Sequence, residues 1–285
     1  MKLAATLILF HPGADVLSNI HSYYNHVDKI FVFDNTEIET NIKQSLQALS
    51  KVEYYQDFKN EGIAKRLNNG AEIAMKQGFG WMLTLDQDSC FANNAIDFYI
   101  DCFNKYSTKE KVAMFGIEFG SLQKSSTQEC STSQSEQLIT SGAILNLDSF
   151  KAIGNFDEKL FIDLVDHDYS IRAKICGFLL IRFTNIYLSH QIGKQVNRSS
   201  LKTLFIFKKK KNIHSPLRIY YIYRNLLYLQ TKYKGKENLL VKSVHVTAKT
   251  NIANSFFYGR NAIKIIQYLI RARRDYGKNK MGKIE

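Results

Sequence analysis

Closely spaced cysteines are missing from the chain. Its four cysteines, Cys90, Cys102, Cys130 and Cys176, show neither the close pairs of a zinc site nor the spacing of a secreted disulfide framework, so a reducing cytoplasm is the expected home. Long apolar runs are missing too. No stretch reaches the roughly 18 uninterrupted apolar residues that a spanning helix needs. Leu3 to Phe10 is followed by His11-Pro12-Gly13 in place of a small-residue cleavage site, so it reads as a strand and not as a signal peptide. A soluble or peripheral protein is expected. There is no internal repeat, no recognisable nucleic-acid-binding motif and no regular basic and aromatic groove pattern, which argues against nucleic acid as a partner. Acidic residues are scarce only towards the end. From Leu201 onward 3 acidic residues face 20 Lys and Arg, a local charge of +17, whereas the first 200 residues carry 23 acidic and 19 basic groups, a local −4. The basic part should seek anionic surfaces; the earlier part has no such bias.

What the chain does have is material for a core. With 285 residues and 45% hydrophobic side chains, it can form one large domain or one domain with an appendage. Leu3 to Phe10 is a continuous apolar run, as a strand buried on both faces should be. Further strands are expected at Ile30 to Phe33, Val52 to Tyr55, Trp81 to Leu85, Val112 to Glu118 and Phe178 to Leu188, and apolar sequence resumes at Ile139 to Leu147 with Ser141-Gly142-Ala143. Helical spacing is found in Asp15 to Tyr24, Ile42 to Leu49, Gly62 to Gln77, Asn94 to Tyr106 and Asp148 to Ile153. Strand and helix alternating in units of roughly 25 to 30 residues is the pattern of a parallel sheet covered by helices. Gly120 to Gln137, rich in Ser, Thr and Gln, reads as a mobile loop over a site. In the basic part, Ser215-Pro216 is a good helix start, and Ile252 to Arg274 reads as one more helix. The expected domains are 1–200 and 201–285.

In such sheets ligands bind beyond the carboxyl ends of the strands. That edge collects Phe10-His11, Asp34-Asn35, Gln56 to Asn60 and Asp86 to Asp88. In an extended segment Asp86 and Asp88 would project to the same side, a pair of hard oxygens suited to Mg²⁺ or Mn²⁺. The bare Asp-x-Asp pattern is weak, since 14 aspartates give about 0.7 such patterns by chance and a second occurs at Asp166 and Asp168. Its place after a buried parallel strand gives it weight. Asp34 would accept hydrogen bonds from a base or sugar, or would close an Asx turn. Asn60 and Gly62 precede a helix whose first-turn amides would face a diphosphate, with Lys65 and Arg66 adding charge; the competing view is a solvated basic face. In Phe161 to Arg172, read as a helix, Asp163 and Asp166 share a face and Asp168 pairs with Arg172, leaving Asp166 or Asp163 as a base. His190 is either a third metal ligand or a polar group at a strand end.

The order of these motifs resembles a known family. Asp34-Asn35, Asn60-x-Gly62-Ile63-Ala64, Asn68-x-Gly70, LTLDQDS, Ser141-Gly142-Ala143, VDHDYSIR and LSHQIG follow one another as in glycosyltransferases of family 2, which have the nucleotide-diphospho-sugar-binding GT-A fold. The likeness is greatest to their bacterial rhamnosyltransferase-like branch and covers about residues 1 to 195; SPLRIYYIYRN in the tail also resembles that branch. The resemblance implies a mostly parallel α/β sheet flanked by helices, with a basic helical C-terminal extension, and an inverting, metal-dependent transfer of a sugar. It places Phe10, Asp34, Asn60, Gly62, Arg66, Asp86 and Gln87 on the nucleotide-sugar donor, with Asp34 at the base and Asp86 at the sugar or ribose. Asp88 would hold the Mg²⁺ or Mn²⁺ that bridges the diphosphate, with His190 as a further ligand. The family's Glu-Asp-x-Asp matches Asp166 to the base, but Val165 stands where Glu is usual, and Asp163 is its rival. Arg218, Arg224 and Asn225 would grip an acceptor phosphate. The implied donor is dTDP-rhamnose, and the implied acceptor is a glycan or a lipid-linked sugar of bacterial surface polysaccharide synthesis. The basic, Tyr- and Leu-rich tail fits an anionic bilayer, which would put the enzyme in the cytoplasm or on the cytoplasmic face of the inner membrane. Two other classes compete. One is a non-catalytic binding protein whose basic tail holds nucleic acid or membrane; the other is a metal-dependent nucleotidyltransferase, which would consume a nucleoside triphosphate.

Overall fold

The computed structural model describes residues 2–92, 95–120, 129–189, 194–200, 206–236 and 239–285. They fall into two compact units: residues 1–157 with 169–190, and residues 158–168 with 191–285.

The first unit is built on an eight-stranded sheet. Its strands are β1 (Leu3–Leu9), β2 (Lys29–Asp34), β3 (Val52–Gln56), β4 (Trp81–Asp86), β5 (Val112–Phe119), β6 (Thr132–Gln134), β7 (Ala143–Asn146) and β8 (Leu179–Leu188), in the order β3-β2-β1-β4-β7-β5-β8-β6. β1 to β4 are mutually parallel, as are β5 and β8. β7 runs antiparallel between β4 and β5, and β6 antiparallel at the edge. The helices are α1 (Val16–His21), α2 (Ile42–Gln47), α3 (Gly62–Lys76), α4 (Ala95–Lys105) and α5 (Leu147–Ile153). All of β1 is buried, which is why its sequence is continuously apolar and does not alternate. Leu3, Ala5, Leu7 and Leu9 join Ile20, Tyr23, Tyr99 and Phe103 in the main core. On α3, Gly70 allows a close approach: a Cβ there would lie 2.2 Å from Thr6 Oγ1. The mostly parallel α/β sheet is the expected fold.

The second unit holds a hairpin-like pair, β9 (Lys194–Arg198) and β10 (Lys209–Ile213), antiparallel to each other. Three helices follow: α7 (Pro216–Lys232), α8 (Leu239–Tyr258) and α9 (Ala262–Gly277). Ser215 caps α7 by accepting from the Arg218 N–H. One further helix, α6 (Val165–Ile175), begins in the second unit and ends in the first.

Several expectations are corrected. Cys102 and Cys130 form a disulfide, leaving Cys90 and Cys176 as free thiols. Sequence spacing missed the pair because the fold, and not proximity in the chain, brings their Cα atoms to 5.5 Å, and the cysteine argument for a reducing compartment falls with it. The polar stretch from Gly120 to Gln137 contains this cysteine and edge strand β6; its residues 121–128 lie outside the described set. The helix expected over Ile252 to Arg274 is two helices, broken at Gly259 and Arg260.

Candidate active site

The carboxyl ends of β1, β2 and β4 in the first unit are tied to one another by hydrogen bonds. The Phe10 N–H donates to Gln87 Oε1 at 2.8 Å, and the His11 N–H to Thr36 Oγ1 at 2.8 Å. Asn19 in α1 donates to the Gln87 carbonyl at 2.9 Å. Asn35, buried just past β2, accepts from the Glu61 N–H and from Arg66 Nε, and donates to the Gly62 carbonyl. Arg66 reaches on to Asp57 at 2.5 Å and to the Lys59 carbonyl at 2.9 Å. A single asparagine thus joins a strand end to the start of α3 and to the loop after β3. Gly62 sits at φ +83, which suits glycine, and its N–H is capped by Asn60 Oδ1.

These contacts redistribute the expected roles. Asp34 is wholly buried. Its Oδ1 accepts from the Thr36 N–H, the Asx-turn arrangement, and its Oδ2 accepts from Tyr54 and Thr40. Arg66, 5% exposed, secures the 57–61 loop from within and is not a solvated basic face. The amides of Glu61 and Gly62 are occupied by Asn35 and Asn60. Phe10 is exposed, Asp86 and Gln87 are half-buried, and Asp88 is exposed.

Asp86 ends β4, and the chain turns at once. The Ser89 N–H donates to the Asp86 carbonyl, and the Asp86 N–H to Ser89 Oγ, which shares a 2.6 Å hydrogen bond with Ser141 Oγ. The expectation that Asp86 and Asp88 project alike from an extended segment is therefore corrected: residues 87 and 88 form a turn. Gly142, at φ +71, bonds through its N–H to the Thr84 carbonyl. The Ser141-Gly142-Ala143 motif thus buttresses the aspartate turn. Among the described residues no cluster of three metal-ligating side chains occurs. Two hard carboxylates on a turn nevertheless suit Mg²⁺ or Mn²⁺, ions that retain waters and take the rest of their ligands from a diphosphate. His190 lies outside the described residues. Its sequence neighbour Ser189 pairs by two backbone hydrogen bonds with Cys90, two residues beyond Asp88.

The acidic segment belongs to the second unit, apart from the end of α6. Its helix starts at Val165, not at Phe161, because Asp163 and Leu164 have φ of +65 and +64. Asp163 thus precedes the helix and the face shared with Asp166 at a spacing of three does not form. Both Asp163 carboxylate oxygens lie near Arg218 Nε, at 3.0 and 3.2 Å. Asn225 Nδ2 holds the carbonyls of Ile162 and Asp163. Asp166 Oδ1 accepts from the His167 N–H and from His167 Nδ1 at 2.8 Å. Burial raises the Asp163 pKa, with Arg218 opposing. Burial acts the same way on Asp166, but the His167 charge and hydrogen bonds outweigh it and hold that pKa low. The His167 pKa is in turn raised, Asp166 overcoming the effect of burial. Asp168, fully buried, accepts from Lys232 and Tyr233, and Arg172 donates to the carbonyls of Ile153, Gly154 and Asn155.

Arg224 and Asn225, expected at an acceptor phosphate, are held within the second unit. Both are buried; Arg224 donates to Tyr220 and to the Gly282 carbonyl, and Asn225 fixes the turn before α6. Arg218 is half-exposed but paired with Asp163. Sequence reasoning gave no task to Asn35, Ser89 or His167; polar residues directly after strand ends were the only signal for the first two. A cavity of about 450 Å³, lined by Tyr54, Tyr55, Asp57, Arg66 and Glu72 among others, flanks β3 and α3. It does not include Asp86 or Asp88, so it is separate from the aspartate turn.

No family model matches the chain. It is similar to the dTDP-rhamnosyl transferase RfbF of Shigella flexneri, with 26% identity over 249 residues, covering 81% of this chain and 80% of that protein. Among solved structures, GalNAc-T7 with UDP, GalNAc and Mn²⁺ superposes with a TM-score of 0.55 at 14% identity, covering 67% of this chain; the chain spans 44% of that structure. TarS 1–349 of S. aureus with UDP-GlcNAc superposes with a TM-score of 0.53 at 10% identity, covering 100% of this chain and 94% of that one. The structural likenesses show the fold, the GT-A fold of these glycosyltransferases, and the sequence likeness is to a rhamnosyltransferase.

Proposed function

We propose that the chain is an inverting, divalent-cation-dependent rhamnosyltransferase that uses dTDP-rhamnose and acts on a glycan or lipid-linked acceptor of bacterial surface polysaccharide synthesis, at the cytoplasmic face of the inner membrane. The observation that carries this reading is the likeness to a dTDP-rhamnosyl transferase along four-fifths of the chain, in which Asp86 and Asp88 follow a buried parallel strand. The first unit is the donor-binding body; the basic second unit serves the acceptor.

The chemistry is a single displacement. The acceptor hydroxyl oxygen bonds to the anomeric carbon, the bond from that carbon to the diphosphate oxygen breaks, and the electron pair leaves with dTDP. The hydroxyl proton passes to Asp166. Geometry favours Asp166 over Asp163 here, because both Asp163 oxygens face Arg218, whereas Asp166 commits only Oδ1 to His167. Asp86 and Gln87 orient the donor's sugar side, with Phe10 at its base or ribose. Asp88 would hold a divalent cation, with His190 as the further ligand that the family resemblance implies, and such a cation when bound would neutralise charge on the departing diphosphate. Asp34, Asn60, Gly62 and Arg66 act by holding the edge in shape.

The test is transfer from dTDP-rhamnose with the anomeric configuration of the product read by NMR. An inverted linkage is expected; a retained one overturns the single displacement, and turnover of a nucleoside triphosphate in its place would make the enzyme a nucleotidyltransferase.

A further inference from the structure

Helix α9 presents two unlike apolar faces. One is inward: Ile265 and Ala272 are buried, Tyr268 packs edge-on against Tyr220 of α7, and Tyr220 OH donates to Asp275. The other is open to solvent. Ile263, Ile266 and Ile270 are 75%, 45% and 66% exposed, and their spacing of three and four puts them on one stripe. The next positions along that stripe are Arg273 and Arg274, both exposed. Exposed Lys264 flanks it, and the helix's single acidic residue, Asp275, is buried. An isolated exposed isoleucine is ordinary. Three in line, ending in arginines, are not.

A second feature of this unit has the same composition. Ile206 and Phe207 are 72% and 57% exposed, and Lys208 to Lys211 follow directly, at the start of β10.

We propose that the Ile263–Ile266–Ile270 stripe of α9 is a membrane-contact face that lies in the headgroup boundary of an anionic bilayer, with Arg273, Arg274 and Lys264 on the lipid phosphates. Apolar side chains flanked by basic ones are what such a boundary takes up. Charge disfavours the competing occupant: a second copy docked stripe to stripe about a two-fold axis would bring like arginines and lysines together. The inference deepens the peripheral location proposed above. It is tested without donor or acceptor, so its failure is separate from failure of the transferase reading.

The experiment is flotation of the full chain with vesicles of phosphatidylcholine alone or mixed equally with phosphatidylglycerol. Flotation is expected only with the anionic vesicles, and it should weaken as salt rises. Ile266→Ser with Ile270→Ser should lower vesicle affinity by about tenfold or more, and Lys264→Glu with Arg273→Glu should abolish the preference for anionic lipid. Ile266→Trp keeps the face apolar and adds a second fluorophore to Trp81, the chain's single tryptophan. It should float like the parent and show on vesicles a blue shift in emission that the parent lacks, which keeps the test open if the serine variant does not fold. Absence of flotation by the parent, unchanged flotation of a folded serine variant, or an Ile266→Trp emission that vesicles leave unshifted overturns the proposal. So does a serine variant that turns a dimer into a monomer in light scattering and floats as before, which would make the stripe a chain–chain interface.

Discussion

Asp163 and Asp166 stand three residues apart and are held in opposite ways. Asp163 is locked at a positive φ and faces a guanidinium; Asp166 opens a helix and keeps company with an imidazole. Asp166→Asn should lower the transfer rate by about 10² to 10⁴ fold with the donor dissociation constant unchanged, as read by titration of dTDP-rhamnose. The pair with His167 adds a pH dependence. The His167 pKa is raised above 6.5, so its contribution to stability is full below that pH and is lost as pH rises through the raised value; the Asp166 pKa is lowered below 3.8, so its contribution is present above that pH and is lost as pH falls through the lowered value. Replacing His167 removes what holds the carboxyl down and leaves burial, which raises it. His167→Gln should therefore move the acidic limb of the kcat/KM profile to higher pH, and a limb that stays put would take Asp166 out of the base role.

At the scale of elements, α3 lies close upon β1. Gly70→Ala puts a Cβ 2.2 Å from Thr6 Oγ1 and 2.8 Å from its Cγ2, an overpacking that should cost about 1–3 kcal/mol in denaturant unfolding. Thr6→Ala in the same chain removes both atoms and should return part of the loss. The Cys102–Cys130 disulfide is checked by thiol titration of denatured, unreduced protein, where two thiols are expected and four would contradict it. The elements that the sequence made legible are those with a periodic signal. Continuous apolar runs marked β1 and β4, and Ser215-Pro216 marked α7. The disulfide was illegible because its partners meet only through the fold, and β6 because a three-residue edge strand of exposed Thr, Ser and Gln has no apolar pattern. The helix over Phe161 to Leu164 was misread because two left-handed residues without glycine carry no mark in sequence. The site was legible as strand ends and illegible as contacts: Asp34 and Arg66 were found as residues, while the buried hydrogen bonds that occupy them come from Tyr54, Asn35 and Asp57, which are remote in sequence.

At the scale of the molecule, charge and chemistry are segregated. The sheet unit carries Asp86 and Asp88 on its carboxyl edge. The second unit carries the acidic turn, the buried Asn225 that braces it, and the excess of positive charge. Among the described residues no helix is long and apolar enough to cross a membrane, and the exposed isoleucines of α9 mark a surface and not a span. The proposed function requires that this chain bind a deoxythymidine-diphosphate sugar through a cation at Asp88. The direct measurement is a thermal-shift series with dTDP-rhamnose, dTDP alone and UDP-GlcNAc, each with Mn²⁺ and with chelator, since a ligand of the native state raises its melting temperature. dTDP-rhamnose with Mn²⁺ should give the largest rise, chelator should remove most of it, and Asp88→Ala should remove the rest of the metal dependence. No rise with any nucleotide sugar, or a rise that Asp88→Ala leaves intact, would contradict the account.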